Sequence, residues 1–274
     1  MKPAAFDYIR AKDADDAVAL LTQSGGDSRL IAGGQSLGPM LNLRLTRPGL
    51  LIDVSRAADL RACTEDSDML RIGAAVTHAD IEDGRTPAGA DGFLAKAARG
   101  IAYRAVRNRG TIGGSLAHAD PAADWPLVLS ALGATIAVIG PGGRRQIVID
   151  QFIKGAFATA LQDGEVIAAI LVPRAALTAS WGYWKLCRKA GEFPIASAAV
   201  VGSGRSWRVF IGALADRPRP LTDLVAALGA GERIDTRPAA LMPFIVKAVP
   251  EMDPIDLRMY AGCLSRALAQ ATPP

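Results

Sequence analysis

The order of predicted strands and helices in the C-terminal third of the chain most constrains its fold. The segments SWGYWKLCRK, IASAAVVGS and SWRVFIGAL have the apolar, β-branched and aromatic pattern of strands. Three segments with helical spacing follow them: LTDLVAALG, RPAALMPFIVKAV and PIDLRMYAGCLSRALAQ. Strands followed by a run of helices are typical of an α+β fold rather than of alternating α/β units. We therefore predict an α+β fold with a domain boundary at residues 175–179.

The sequence before this boundary mixes strands and helices. DADDAVALLTQSGG predicts a helix that begins at Asp13 or Asp15 and ends at its two glycines. Strands are predicted in SRLIAGG, GLLIDVS, MLRIG, ATIAVIG, RRQIVID and EVIAAILVP, and helices in LGPMLNLRL, THADIED, GFLAKAARGI and PAADWPLVLSALG. The turn GPGG predicts a hairpin between ATIAVIG and RRQIVID.

Composition and charge exclude several classes of protein. Half of the 274 residues are hydrophobic, which allows a sizeable core. The net charge is +4 and the basic residues are spread along the sequence, so we expect no nucleic-acid partner. No apolar run is long enough to cross a membrane, and the N-terminus lacks the apolar region of a signal peptide. We therefore predict a cytoplasmic protein without a membrane span.

The three cysteines, Cys63, Cys187 and Cys263, are isolated from one another in the sequence. No Cys-x-x-Cys pair or Cys/His ligand spacing is present, which argues against a zinc site or an iron–sulfur cluster within this chain. We therefore expect three reduced thiols and no metal site.

Two glycine-rich stretches carry the strongest functional pattern. The first glycine segment, residues 31–44, reads IAGGQSLGPMLNLR, and the second, residues 109–126, reads RGTIGGSLAHADPAADWP. Adjacent glycines allow positive φ angles and the close approach of a ligand. Consecutive N–H groups in such turns bind anions, and Ser36, Thr111 and Ser115 add hydroxyl donors. Two such segments suit a diphosphate, whereas ordinary tight turns are the structural alternative.

Familiar nucleotide motifs do not account for these segments. The chain contains no Gly-Lys pair, which excludes a P-loop. The stretches GPGGRR and GSGRSW lack the third glycine of a dinucleotide-binding fingerprint. A helix beginning near Leu37 would instead add its N-terminal partial charge to the first glycine segment.

The two segments together resemble the flavin-binding signatures of the molybdenum hydroxylases. They are similar to those of the medium, FAD-binding subunit in the carbon monoxide dehydrogenase, xanthine dehydrogenase and nicotine dehydrogenase group. The stretches FDYIRAKDADDAVALL, LLIDVSRAADL, EVIAAILVP and WKLCRKAGEFPIASAAV follow in the order that this family shows. The resemblance therefore covers essentially the whole chain.

This resemblance implies a particular form of the α+β fold. Residues 1–176 would form a two-lobed FAD-binding domain of the PCMH type, which is similar to that of vanillyl-alcohol oxidase. Its N-terminal lobe would cover about residues 1–55 and its second lobe about residues 56–176. Residues 177–274 would form a small C-terminal domain of the carbon monoxide dehydrogenase flavoprotein type, with a three-stranded sheet and helices.

The resemblance also implies roles for individual residues of both glycine segments. In the family the first segment wraps the FAD pyrophosphate through backbone N–H groups, and the second supplies further donors. The matching residues are Ala32, Gly33, Gly34, Gln35, Ser36 and the adjacent Leu37 in the first segment, and Thr111, Gly113, Gly114 and Ser115 in the second. Some relatives carry Asn at position 115, so we expect the shorter serine to reach the cofactor through water.

The two aspartates of the second segment match acceptors for cofactor hydroxyls. Asp124 corresponds to the carboxylate that holds a hydroxyl of the sugar or ribityl portion, and Asp120 lies close enough in sequence to act similarly. Carboxylates accept from hydroxyls, whereas phosphates need N–H donors. The two kinds of group therefore serve different parts of one ligand.

Four more residues match positions near the flavin. Lys185 would stabilise negative charge at the N1–C2=O edge of the reduced ring, the alternative being a solvated strand lysine. Phe193 would cover the ring without a hydrogen bond, the alternative being a core residue. Ile167 would line the pocket, and His118 would contact the cofactor or bond locally, a role as catalytic base being conceivable but not required.

The function implied is that of an electron-transfer flavoprotein subunit. A large subunit would oxidise the substrate at molybdenum–molybdopterin, and a small subunit with two [2Fe–2S] clusters would deliver the electrons to FAD on this chain. An external acceptor would then take them from FAD. We expect a dimer of heterotrimers.

Two other functions remain open at this point. One is a self-contained FAD-dependent oxidoreductase of the vanillyl-alcohol-oxidase type, although residues 177–274 are few for its substrate domain. The other is a non-enzymatic assembly or scaffold protein in which the glycine segments are only turns.

Overall fold

The computed structural model describes residues 2–271 and begins with a small parallel sheet. Its strands are β1 (Asp7–Arg10), β2 (Ser28–Ile31) and β3 (Leu50–Asp53), and β3 lies in the middle. The helices of this region are α1 (Ala14–Gln23), α2 (Leu37–Asn42) and α3 (Ala58–Arg61). Because the strands are parallel, the first glycine segment leaves β2 at the same edge at which β1 and β3 end. Loops at the carboxyl edge of a parallel sheet commonly bind ligands.

A five-stranded antiparallel sheet forms the middle of the chain. Its strands, in spatial order β4-β5-β10-β6-β7, are β4 (Cys63–Glu65), β5 (Met69–Gly73), β6 (Thr135–Gly140), β7 (Gly143–Val148) and β10 (Val166–Pro173). A separate hairpin pairs β8 (Ile153–Gly155) with β9 (Ala158–Thr159). The predicted hairpin between β6 and β7 is confirmed, with Gly140 opposite Gly143.

Seven helices accompany this sheet in the described chain. They are α4 (His78–Glu82), α5 (Phe93–Arg99), α6 (Arg104–Arg107), α7 (Ile112–His118), α8 (Asp124–Leu132), α9 (Ile149–Phe152) and α10 (Arg174–Leu177). All nine residues of α8 are buried, so this helix lies within the core rather than on its surface. The burial of α8 matters for the site, because this helix begins with a charged residue, Asp124.

The C-terminal part is a second antiparallel sheet with three helices. The sheet has the order β11 (Ser180–Leu186), β12 (Ala196–Ser203), β13 (Ser206–Gly212) and β14 (Arg219–Pro220). The helices are α11 (Thr222–Ala230), α12 (Pro238–Ala248) and α13 (Pro254–Ala271). The three strands and three helices predicted here are confirmed, and so is the α+β class. The short strands β1, β4, β8, β9 and β14 were not predicted, and neither were helices α3, α6, α7, α9 and α10.

Alternation along these strands divides the C-terminal sheet between two cores. One face contributes Tyr183, Val201 and Phe210 to the core that surrounds α8. The other face contributes Val200 and Ile211 to a core shared with α11, α12 and α13. Because neighbouring side chains point to opposite faces of a strand, one sheet can serve both cores. Side chains from both sides of residue 176 share the core that surrounds α8. The domain and lobe boundaries given above stay predictions.

Within residues 2–271, none of the helices combines the length and the apolar character that a membrane crossing requires.

Candidate functional site

The first glycine segment presents an uninterrupted run of free backbone donors. Among the described residues, the N–H groups of residues 32–37 donate to no acceptor of the chain, whereas the next one, Gly38 N–H, donates to the Gly34 carbonyl at 2.8 Å. Gly34 has a φ of +70°, which reverses the chain at the point where α2 is about to begin. Six consecutive N–H groups without an acceptor in the described chain are available to external acceptors, either water or an anionic ligand.

Close packing of Gly33 brings the two glycine segments into contact. A Cβ atom at this position would lie 2.1 Å from the Arg109 carbonyl oxygen and 2.7 Å from the Gly110 Cα atom. The Arg109 Nε donates to the Gly33 carbonyl oxygen at 3.4 Å. The segments that the sequence pairs by their composition are therefore adjacent in space, and only glycine fits where they meet.

Residues 112–118 of the second glycine segment form helix α7 where we had predicted a loop, and the expectation that the backbone N–H groups of Gly113, Gly114 and Ser115 are free is wrong. Thr111 is the N-cap of α7, and its Oγ1 accepts from Gly114 N–H at 3.0 Å. The Gly113 N–H donates to the Ala74 carbonyl at 2.9 Å, and the Ser115 N–H donates to the Thr111 carbonyl at 3.0 Å. Helix formation thus uses the donors of Gly113, Gly114 and Ser115, as a helical backbone requires.

Two groups at the start of α7 nevertheless stay available to a ligand. In the part of the chain that the structure describes, Thr111 N–H has no acceptor and the half-buried Ser115 hydroxyl makes no hydrogen bond. Gly113 has a packing role instead. A Cβ atom on Gly113 would lie 2.5 Å from the Ala74 Cβ, so Gly113 lets α7 lie directly on the chain that follows β5.

Asp124 and Lys185, expected to contact separate parts of a cofactor, form a buried ion pair. The Lys185 Nζ lies 2.7 Å from the Asp124 Oδ1 and also donates to the Gly100 carbonyl at 2.8 Å. Their side chains are only 12% and 6% exposed, so the alternative of a solvated strand lysine is wrong. The Tyr183 hydroxyl donates to the same Asp124 oxygen, a contact that our sequence analysis missed.

The second Asp124 oxygen remains free. Oδ2 accepts no hydrogen bond from the described residues. It is also not sealed from solvent, so a ligand can reach it. It can therefore accept from a ligand hydroxyl. Burial, followed by the neighbouring Asp124 charge, raises the pKa of Tyr183 well above its ordinary value, so the phenol stays a donor.

The remaining predicted residues are in varied surroundings. Asp120 lies just after α7 and accepts from the Ala122 N–H at 2.9 Å. His118 ends α7 with its ring 5.1 Å from that of Phe157. Ile167 is buried on β10, beside an irregularity in its pairing with β6. Phe193 is 62% exposed in the loop between β11 and β12, so the alternative of a core residue is wrong.

A buried histidine that the sequence analysis did not assign supports both ends of the second glycine segment. The Trp125 Nε1 donates to the His78 Nδ1 at 3.1 Å, which joins α4 to the first turn of α8. The backbone of His78 donates to the Gly110 carbonyl at 2.9 Å. Burial, with a smaller contribution from the positive charge of Arg107, lowers the pKa of His78 to about 4. His78 is therefore a neutral structural acceptor at neutral pH.

This depressed pKa predicts a specific loss of stability in acid. A histidine that titrates near 6.5 when unfolded and near 4 when folded stabilises the fold fully above pH 6.5, and that contribution is lost as the pH falls toward 4. We expect the free energy of unfolding of the wild type to fall by about 3 kcal/mol more than that of His78→Gln between pH 7 and pH 4. Urea titrations across this range measure the difference, and parallel curves for the two proteins would contradict it.

A run of free N–H donors at a parallel-sheet edge is typical of proteins that bind an anionic ligand. Comparison with known families agrees. Residues 4–175 match the family described as the FAD binding domain in molybdopterin dehydrogenase. The chain belongs to this family, and it is an FAD-binding medium subunit, an oxidoreductase component of the molybdenum hydroxylase class.

Relatives of the chain have the same character. It is 42% identical over 201 residues to the carbon monoxide dehydrogenase medium chain of Hydrogenophaga pseudoflava, covering 73% of this chain and 70% of that one. It is 39% identical over 209 residues to the nicotine 6-hydroxylase medium subunit of Paenarthrobacter nicotinovorans, covering 76% and 73%. A solved structure of the Hydrogenophaga pseudoflava carbon monoxide dehydrogenase, which lacks the Mo-pyranopterin moiety, superimposes with a TM-score of 0.88 at 35% identity, over 99% of this chain and 98% of that chain.

Proposed function

We propose that residues 32–37 and Thr111 hold the pyrophosphate of FAD. One observation carries this proposal, namely the six consecutive N–H groups that have no acceptor among the described residues. A pyrophosphate presents several anionic oxygens, and such oxygens form short, strong hydrogen bonds with backbone N–H groups. Of the second segment, Thr111 N–H and the Ser115 hydroxyl are the groups free to join them. Gly113 acts by allowing α7 to pack on Ala74, and Gly114 leaves room for the capping Thr111 hydroxyl.

Asp124 and Lys185 are proposed to orient the rest of the cofactor. The free Asp124 Oδ2 is suited to accept from a hydroxyl of the sugar or ribityl part. Lys185 holds its charge in place through two fixed contacts, and a cation beside a flavin stabilises negative charge on the reduced ring. His118, Asp120, Ile167 and Phe193 complete the proposed contact set. FAD held by these residues would supply the redox chemistry of an electron-transfer subunit.

The assembly around this chain is also a proposal. We infer a small partner subunit with two [2Fe–2S] clusters and a large one with molybdenum–molybdopterin, in a cytoplasmic dimer of heterotrimers. Its support is that similar proteins are named as medium chains or medium subunits, which implies partners of other sizes. The substrate would then be selected on the large subunit, outside this chain.

Expression of the full chain with and without its partners tests the proposal. The isolated chain should be yellow, carry one FAD, and oxidise no organic substrate until the partner subunits are added. Oxidation of such a substrate by the isolated chain would favour the self-contained oxidoreductase. Colourless protein from both the isolated chain and its native complex would refute FAD binding and leave the scaffold alternative.

A further inference from the structure

The geometry points to Tyr183 as a positioning residue for the FAD site, one that acts through Asp124 rather than by touching the cofactor. This inference rests on the proposed role of Asp124 and extends it to a residue on the C-terminal sheet. Tyr183 and Lys185 are two residues apart on β11, so their side chains point to the same face of the strand. That face is directed at the first residue of α8, where both side chains reach the Asp124 carboxylate.

Both donors converge on a single oxygen. The Tyr183 hydroxyl and the Lys185 Nζ donate to Asp124 Oδ1, and neither donates to Oδ2. A carboxylate whose first oxygen is held from two directions cannot rotate freely, which fixes the direction of its second oxygen. Oδ2 is then presented as an acceptor for a ligand hydroxyl without the entropic cost of ordering the side chain. The phenol thus orients the group that we propose contacts the cofactor.

Packing around Tyr183 makes its hydroxyl a fixed rather than a mobile donor. Its ring lies 5.8 Å from that of Phe93, on α5, with the two planes tilted by 49°. Its backbone N–H donates to the side-chain oxygen of Gln270, on α13, at 2.9 Å. The side chain is only 5% exposed. Tyr183 is therefore held from the helices on both sides of its sheet, and its position does not depend on the ligand.

Tyr183→Phe in the full chain tests this inference, because it removes one hydroxyl and keeps the ring packing. We expect the dissociation constant for FAD to rise about tenfold, the effect of one lost positioning hydrogen bond. Tyr260→Phe is the matched control. Its hydroxyl donates to the Ala213 carbonyl at 2.6 Å, and its ring lies in the core shared with α11, α12 and α13. Loss of this hydroxyl should therefore lower the unfolding temperature without changing FAD affinity. Flavin fluorescence titrations and thermal unfolding measure both quantities.

A second comparison separates positioning from general support of the fold. In an Asp124→Ala background, which lacks the carboxylate, Tyr183→Phe should weaken FAD binding no further. Equal FAD affinity of Tyr183→Phe and the wild type would overturn the inference, and so would a full tenfold effect in the Asp124→Ala background. A wild-type chain that binds no FAD would instead refute the proposed function, so the two failures are distinguishable.

Discussion

Gly33→Ala should weaken FAD binding by up to about 100-fold while the chain stays folded. The added Cβ would lie 2.1 Å from the Arg109 carbonyl oxygen, a backbone atom that cannot rotate away. The two glycine segments must therefore separate, which displaces the run of free N–H groups. Overpacking of this kind costs about 1–3 kcal/mol, and the upper value corresponds to about 100-fold in affinity.

Gly38→Ala provides the matched control for this change. Gly38 is the third glycine of the same segment, it lies within α2, and a Cβ atom there meets no other atom within 4 Å. Its affinity for FAD should equal that of the wild type, with a slight gain in stability because alanine favours a helix. Equilibrium titration of both variants with FAD measures the contrast. Equal affinity of Gly33→Ala and Gly38→Ala would show that contact between the segments does not matter for the ligand.

Among single substitutions that remove one charge near the site, Lys185→Met should cause the largest loss of stability. The change leaves the Asp124 carboxylate buried with only the Tyr183 hydroxyl as a donor. Removal of one partner from a buried ion pair costs about 3 kcal/mol or more, because the other charge is left uncompensated. We expect FAD affinity to fall as well, since Asp124 loses one of the two groups that hold it.

Lys247→Met is the control, because it removes a lysine charge from an exposed ion pair rather than from a buried one. Lys247 pairs with Asp223 at the surface, where the lysine side chain is 71% exposed, so its removal should cost at most about 1 kcal/mol. Adding Asp124→Asn to Lys185→Met should restore part of the lost stability, because the uncompensated charge is then absent. Urea unfolding measures all four proteins. A loss for Lys185→Met no larger than that for Lys247→Met would contradict the buried-pair account.

Local patterns were sufficient to predict most of the elements. The Asp13 side chain caps α1 as expected, by accepting from the Asp16 N–H at 2.8 Å. The helix predicted to begin at Thr77 has the reciprocal Thr77–Asp80 capping contacts. Such contacts connect residues a few positions apart, so the sequence displays both partners together. Strand β1 was missed because its four residues are all exposed and carry no apolar alternation.

The second glycine segment shows why composition alone is ambiguous. Adjacent glycines are typical of turns, yet Gly113 lies in a helix, and glycine is needed there because Ala74 leaves no room for a Cβ atom. That constraint comes from a residue 39 positions away in the sequence. The sequence therefore indicates that glycine is needed at this place without revealing whether the need arises from backbone conformation or from packing.

The ion pair at the site could not be predicted from the sequence for a similar reason. Asp124 and Lys185 were each selected by resemblance, but only the packing of α8 against the C-terminal sheet brings them within 2.7 Å of each other. Tyr183 offered one usable signal, namely its position two residues before Lys185 in a predicted strand, which places both on one face. The free N–H groups of residues 32–37 required only the glycines and the preceding strand, so this part of the site could be predicted most fully.

The central claim is that residues 32–37 bind a pyrophosphate, and a comparison of two ligands tests it most directly. Fluorescence titration of the flavin-free chain should give an affinity for FAD at least about 100-fold higher than that for riboflavin, which carries the same ring and no phosphate. ADP, which carries the pyrophosphate and no flavin, should compete with FAD. Equal affinities for FAD and riboflavin, together with no competition from ADP, would contradict the claim.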